Sequence, residues 1–220
     1  MGAFSLLLRG KTATEVVAEL RRRLDGRSGR LATYFAGVAL DRDAVAEGVA
    51  EALSGTQTIG VSSVRTIHNQ DMADDHSLSV MVYDDEHVAD ARVELMEGIS
   101  AGADPEPAFG VFRHHFQDDQ ALADPGRYVG LVLADPFNMG DQMLIERLGD
   151  RSDVIFVGGS ASDSGTMKDT WVAANGKAAM DAAAVALLRP ARPFRAAKVQ
   201  SVKALPNFPS LLATKVGLHG

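Results

Sequence analysis

Apolar positions along this chain switch between the helical and the strand period, and each switch predicts an element boundary. Thr12-Ala13-Thr14-Glu15 opens a helix in which Val16, Val17, Leu20 and Leu24 recur at helical spacing until Gly26 stops it. Leu31 to Gly37 reads as a buried strand. Asp41 to Leu53 forms a second amphipathic helix, with Val45, Val49 and Leu53 on one stripe and Gly55 near its end. Thr56 to Thr66 returns to strand through the β-branched Thr58, Ile59, Val61 and Val64. His68 to His76 is polar and acidic and reads as a solvated loop. Leu78 to Tyr83 alternates as a strand does, while Val88 to Met96 satisfies both periods.

Pro105 and Pro107 interrupt the next stretch, and Phe109 to Leu122 reads as a helix carrying Phe109, Phe112 and Phe116 on one side. Residues 98–124 therefore read as an insertion or surface excursion. Order returns with Tyr128 to Ala134 as a continuous apolar strand, the turn Asp135-Pro136-Phe137-Asn138, a helix from Gly140 to Leu148, and a buried strand from Asp153 to Val157. Such a strand, helix, strand unit calls for a parallel crossover. Asn175-Gly176 is the favoured pair for a tight hairpin between Thr170 to Ala174 and Ala178 to Leu188, although the alanines of Lys177 to Leu188 locally favour helix; we read a hairpin. Pro190 and Pro193 end that element, Phe194 to Val202 reads as a further strand, and Pro206 and Pro209 make the tail irregular. With no internal repeat or linker, the economical reading is one α/β domain over 1–220: a mixed β-sheet flanked by helices, with a C-terminal antiparallel hairpin.

Composition narrows the chemistry. The 220 residues contain no cysteine, which removes disulfides, zinc-thiolate sites, iron–sulfur clusters and a thiol nucleophile. A net charge of −7 disfavours a nucleic-acid partner. The basic run Arg21-Arg22-Arg23 suits the C-terminal end of its helix dipole. No apolar run reaches the roughly 20 residues of a membrane span, and Phe4 to Leu8 is too short for a signal-peptide core, so the expected location is cytoplasmic with no membrane partner. His68, His76 and His87 stand among Asp71, Asp74, Asp75, Asp84 and Asp85 without a recognised metal-ligand spacing. Gly159-Ser160-Ala161-Ser162-Asp163 is not the Gly-x-Ser-x-Gly elbow, and neither a Walker loop nor a dinucleotide fingerprint occurs.

Leu131-Val132-Leu133-Ala134-Asp135-Pro136, a short helix, Val157-Gly158-Gly159-Ser160-Ala161-Ser162-Asp163 and Trp171-Val172-Ala173-Ala174-Asn175-Gly176 together resemble, in order and spacing, the N-terminal FIST sensory domain. Thr33-Tyr34-Phe35-Ala36 and Ile59-Gly60-Val61-Ser62-Ser63 agree with the early strands of that family, so the resemblance covers Thr12 to Leu188. One departure is Val61-Ser62-Ser63-Val64-Arg65-Thr66, where the family runs through a Gly-Cys-Thr-Thr-like turn into Ala-Gly-Glu. The acidic residue and the flexible glycine of the family are absent and an arginine, Arg65, appears, so if that turn lines the pocket a different, anionic ligand is expected. The family also carries a companion C-terminal domain, so this chain is expected to be a stand-alone version that dimerises or a piece of something longer.

What the resemblance implies is a sensor that binds a small molecule, amino-acid-like or another small anion, and reports to a signalling partner protein or through a homodimer. The ligand is expected where strand ends meet turns. Asp135, Asn138, Ser160, Ser162 and Asp163 supply polar groups, Gly158 and Gly159 allow close approach, Phe137 covers the mouth, and Ser62, Ser63 and Arg65 come from the divergent turn. The competing reading is that the glycines serve packing and Asp163 caps a turn. Two other classes stay open. Some relatives bind haem and sense nitric oxide, for which His114 or His115 beside the phenylalanines is the candidate axial ligand. A serine-dependent hydrolase would draw on Ser62, Ser63, Ser160, Ser162 or Ser164.

Overall fold

The protein is described from a computed structural model over residues 2–69, 71–136, 139–165 and 169–197. Three apolar clusters divide the fold into layers. A six-stranded sheet runs in the order β1 (Phe4–Arg9), β6 (Ser77–Tyr83), β2 (Leu31–Gly37), β3 (Gln57–Ser63), β10 (Val172–Ala174), β11 (Lys177–Ala179). A four-stranded sheet runs β7 (Val88–Glu97), β12 (Ala182–Pro190), β8 (Val129–Ala134), β9 (Phe156–Ser160). Helices α1 (Ala13–Leu24) and α2 (Arg42–Ala52) cover the outer face of the first sheet, burying Val16, Leu20, Val45 and Val49 against Leu8, Tyr34, Val80 and Ala173. Helices α3 (Glu106–Phe116) and α4 (Gly140–Arg151) do the same on the second, with Phe109, Phe112, Leu144 and Leu148 against Val132, Val185 and Leu187. The sheets meet face to face between them, giving helix, sheet, sheet, helix.

The pleat of β12 shows how one strand serves two cores. Ala183, Val185 and Leu187 point to the helix side, while Ala182, Ala184 and Ala186 point to the first sheet, where they meet Ile59, Val61, Val172 and Ala174. The alanine run is thus a central strand, paired antiparallel to both β7 and β8, and local helix propensity loses to two ladders of hydrogen bonds. The hairpin forms with only Lys177–Ala179 as its return strand, because the rest of the expected arm, Ala182–Pro190, crosses to the second sheet as β12; both turn residues take positive φ, 47° at Asn175 and 90° at Gly176, as the tight turn demands. Asn175 does more than turn the chain. Its Oδ1 accepts from the Thr58 amide at 2.9 Å and its Nδ2 donates to the Val93 carbonyl at 3.2 Å, tying β10–β11 to β3 and to β7 of the opposite sheet.

The mixed α/β class, β2, α2, β8 and the parallel β8–α4–β9 crossover follow the pattern of the sequence. The remaining stretches depart from that pattern or are left open by it. The strand expected at Asp153 to Val157 forms at Phe156–Ser160, and it is an exposed edge rather than a buried strand. Within the expected loop His68 to His76, β4 (Thr66–His68) and β5 (Asp71–Ala73) pair as a small hairpin, pinned to β6 by Thr66 Oγ1 and Ser77 Oγ at 2.6 Å. Val88–Glu97 resolves to strand because β12 pairs along its length. Phe4–Arg9, considered above only as a leader, is the edge strand β1. Phe194 to Ala197 has no regular structure, and the rest of that expected strand lies outside the described residues.

Tyr34 is fully buried with its ring across Gly60, where any side chain would collide with it. Burial raises the phenol pKa, and the hydroxyl has no partner among the described residues. Tyr34→Phe removes an unpaired buried hydroxyl and should raise stability by about 1 kcal/mol in urea unfolding; a loss of similar size would reveal a hidden partner for the hydroxyl. Asn175→Gly keeps the turn but deletes its side-chain bonds, and should lower stability by about 2 kcal/mol in the same measurement.

Candidate functional site

The C-terminal ends of β3, β8 and β9 meet at one end of the sandwich, and there the structure gathers part of the expected set. Asp135 ends β8 almost fully buried. Its Oδ1 accepts from Thr170 Oγ1 at 2.7 Å and its Oδ2 from the Asp181 amide at 2.7 Å. Asp181, at positive φ, in turn accepts from the amide and hydroxyl of Ser100 at 2.8 and 2.9 Å. Ser62 Oγ accepts from the Trp171 amide at 3.1 Å, and the Ser62 carbonyl accepts from the Ser162 amide at 3.1 Å. Ser162 Oγ accepts from the Val64 amide at 3.2 Å, and Asp163 from the amides of Gly165 and Asp169 at 2.9 and 3.3 Å. These side chains hold backbone, and they tie the two sheets together. Ser63 Oγ donates to the Arg65 carbonyl at 2.7 Å, while the Arg65 side chain is exposed, 3.9 Å from Met72 Sδ. Phe137 and Asn138 lie outside the described residues.

Gly158, Gly159 and Ser160 go elsewhere, to the wall of a cavity of about 540 Å³ between α4 and the β8–β9 pair. Gly158 pairs with Val132, and a Cβ there would collide with the Val132 carbonyl oxygen, so this glycine permits strand pairing. Gly159 is different, since a Cβ there would meet nothing within 4 Å. Val132, Leu148, Val154 and Phe156 give the cavity an apolar body. Its polar end is Ser160 Oγ, which donates to Asp141 Oδ2 at 3.0 Å in the first turn of α4. An apolar body with one convergent polar pair is the form of a small-molecule pocket. Asp141 carries no marker in the sequence beyond its place near a helix start. Its bond to Ser160 spans 19 residues and depends on the crossover, so no local pattern marks it.

The histidines do not build a haem site. His114 and His115 lie on the exposed side of α3, whose other side buries Phe109, Phe112 and Phe116 in the core, and His115 Nε2 sits 3.0 Å from Asp90 Oδ1. The aromatic wall is closed packing, which does not fit an axial ligand in an apolar cleft. His87 Nδ1 is 2.9 Å from Asp84 Oδ1, and that contact holds the Asp84 carboxyl below its ordinary range. Among the described residues no group of three His, Asp or Glu side chains is placed to hold a metal ion. None of the five serines considered for a hydrolase has a histidine partner among the described residues.

Asp135→Ala strands the Thr170 hydroxyl and the Asp181 amide, and should cost about 3 kcal/mol in urea unfolding. A change below about 1 kcal/mol would mean the carboxylate is not holding the fold and is free for another task.

A family model described as the FIST N domain matches residues 30–216. No curated protein matches the chain.

Proposed function

Because the chain belongs to the FIST N domain family, a family of sensory and signalling domains, we propose that it binds an amino-acid-like small molecule in the cavity under α4. It reports that binding to a partner protein or through self-association. The observation that supports this reading is the pairing of an apolar body with the Ser160–Asp141 end. An amine would face the Asp141 carboxylate, and an apolar side chain would lie along Val132, Leu148 and Phe156. A carboxylate at that end favours an amine over a purely anionic ligand, and Arg65, the cation expected for an anion, is absent from the lining. Among the described residues no helix is long and apolar enough to cross a membrane.

Gly149 makes the reading testable without harming the fold. It stands on the α4 wall with nothing within 4 Å of an added Cβ, so methionine there fills the cavity while improving helix propensity by about 0.5–1 kcal/mol. Screening the twenty standard amino acids by thermal unfolding should find at least one that raises the midpoint of the native chain. Gly149→Met should keep or raise the midpoint of the free protein and abolish that shift, and Asp141→Asn should weaken binding by about ten-fold. A ligand shift that survives Gly149→Met would sink this placement.

A further inference from the structure

Among the described residues the two sheets are unequal in width, six strands against four, and none of these residues covers part of the wider sheet's inner face. On β2 and β6 the side chains that point away from α1 and α2 include Thr33, Phe35, Ser79, Met81 and Tyr83. In a sandwich these positions are normally sealed by the opposing sheet. Here Phe35 is 43% and Met81 38% exposed, and Ile67 of β4, beside them, is 72% exposed. Scattered exposed apolar residues need no explanation, but these line one concavity. Its floor is the first sheet, its opposite wall is Leu131 and Leu133 of β8, and its side is the β4–β5 hairpin. The enclosed volume is about 450 Å³.

The polar groups of the lining come from Ser5, Thr33, His68, Asn69, Ser79 and Tyr83. Ser5 Oγ and His68 Nε2 stand 2.9 Å apart on adjoining walls. Ser79 is buried, and its hydroxyl reaches the Ile67 carbonyl only at 3.5 Å, the outer limit of a hydrogen bond. Thr33 also lines the cavity. No Asp, Glu, Lys or Arg contributes to the lining.

We infer that this inter-sheet cavity is a second binding site, for an uncharged, mainly apolar molecule carrying a hydroxyl or carbonyl oxygen. The apolar body lies between Phe35, Met81 and the two β8 leucines. The oxygen is taken by the Ser5–His68 pair or by the hydroxyls of Thr33 and Ser79. A charged ligand would lose its hydration and find no Asp, Glu, Lys or Arg in the lining to meet it, so the lining disfavours it. The three walls enclose a volume inside the range of about 300–1,000 Å³ common for small-molecule pockets, which favours a small ligand over a flat macromolecular contact. This site lies on the opposite face of β8 from the cavity under α4 and stands or falls independently of it.

The test is titration of the full chain with N-phenyl-1-naphthylamine, an uncharged probe whose fluorescence rises in apolar surroundings. One probe should bind per chain, phenol or indole should displace it, and benzoate should not. Met81→Trp fills the cavity, and Ile67→Asp puts a charge at its mouth on a side chain that buries little. Each should weaken the probe by about ten-fold or more with the unfolding midpoint preserved. Gly149→Met, which closes the other cavity, should leave probe affinity unchanged. The inference is overturned if the native chain does not bind the probe, or if both Met81→Trp and Ile67→Asp bind it as the native chain does. It is overturned as well if Gly149→Met abolishes binding, since the probe would then report the α4 cavity. Sedimentation provides the last check: a chain that self-associates and takes the probe only on dissociation uses this face for a second copy.

Discussion

Close contact between two β-sheets is the constraint on which the rest of the fold depends. Each sheet must bury both faces, one under a helix pair and one against the other sheet, so its strands need apolar side chains in both directions. Large residues crowd toward the helices, where Phe109, Phe112, Leu20 and Tyr34 fill the outer cores. Between the sheets the side chains are smaller, and β12 contributes Ala182, Ala184 and Ala186 to that layer. Alanine gains little from burial by itself, but it lets two backbones approach, and larger groups there would force overpacking. Unequal width then leaves the inter-sheet cavity, because among the described residues four strands face six.

Apolar layers do not fix how one sheet is set along the other; polar bonds at the two ends do that. At one end Asp135 ties β8 to the approach to β10 and to the bend before β12, and Ser62 and Ser162 join the end of β3 to the chain leaving β9. At the other end Asn175 and Gln57 bond across to Val93 of β7. Buried groups that satisfy backbone are costly to lose and rigidify the frame around them. A frame clamped at both ends leaves the middle free to hold cavities.

The same bonds explain what could be read in the sequence and what could not. Helical and strand periods reported α1, α2, β2, β3 and β8 because each buries one stripe or a continuous run. Asn175-Gly176 reported its hairpin because two positive φ values leave few other residues eligible. The apolar run Val154-Ile155-Phe156-Val157 looks the same whether a strand is central or at an edge, and only the partner order makes β9 an edge. Three-residue strands such as β4 and β5 carry too little pattern to register against acidic neighbours. At the site, Gly158, Gly159 and Ser160 read as part of one strand-end ligand site with Asp135 and Asp163, whereas the structure sets them apart in the wall of the cavity under α4. Asp135 and Asp163 were not separable from ligand groups, since a carboxylate that holds backbone and one that holds a ligand occupy identical strand-end positions. The inter-sheet cavity was out of reach altogether, as Ser5, Thr33, His68, Ser79 and Leu133 converge only in three dimensions.

One strand is common to both cavities. Val132 and Ala134 of β8 face α4 and line one, while Leu131 and Leu133 face the first sheet and line the other. A ligand that signals must bind one arrangement of the protein better than another, since equal affinity for both shifts nothing. β12 flanks β8 on one side through an antiparallel ladder and is fixed by β7 beyond it. Among the described residues β8 has on its other side only β9, an edge strand of five residues with two glycines in its middle and no further strand beside it. Gly159 has no side chain to pack, and Gly158 must have none for the ladder to close. The part of the sheet with the least to anchor it therefore forms a wall of the proposed sensory cavity, which is where a small difference in ligand contact has the least structure to work against.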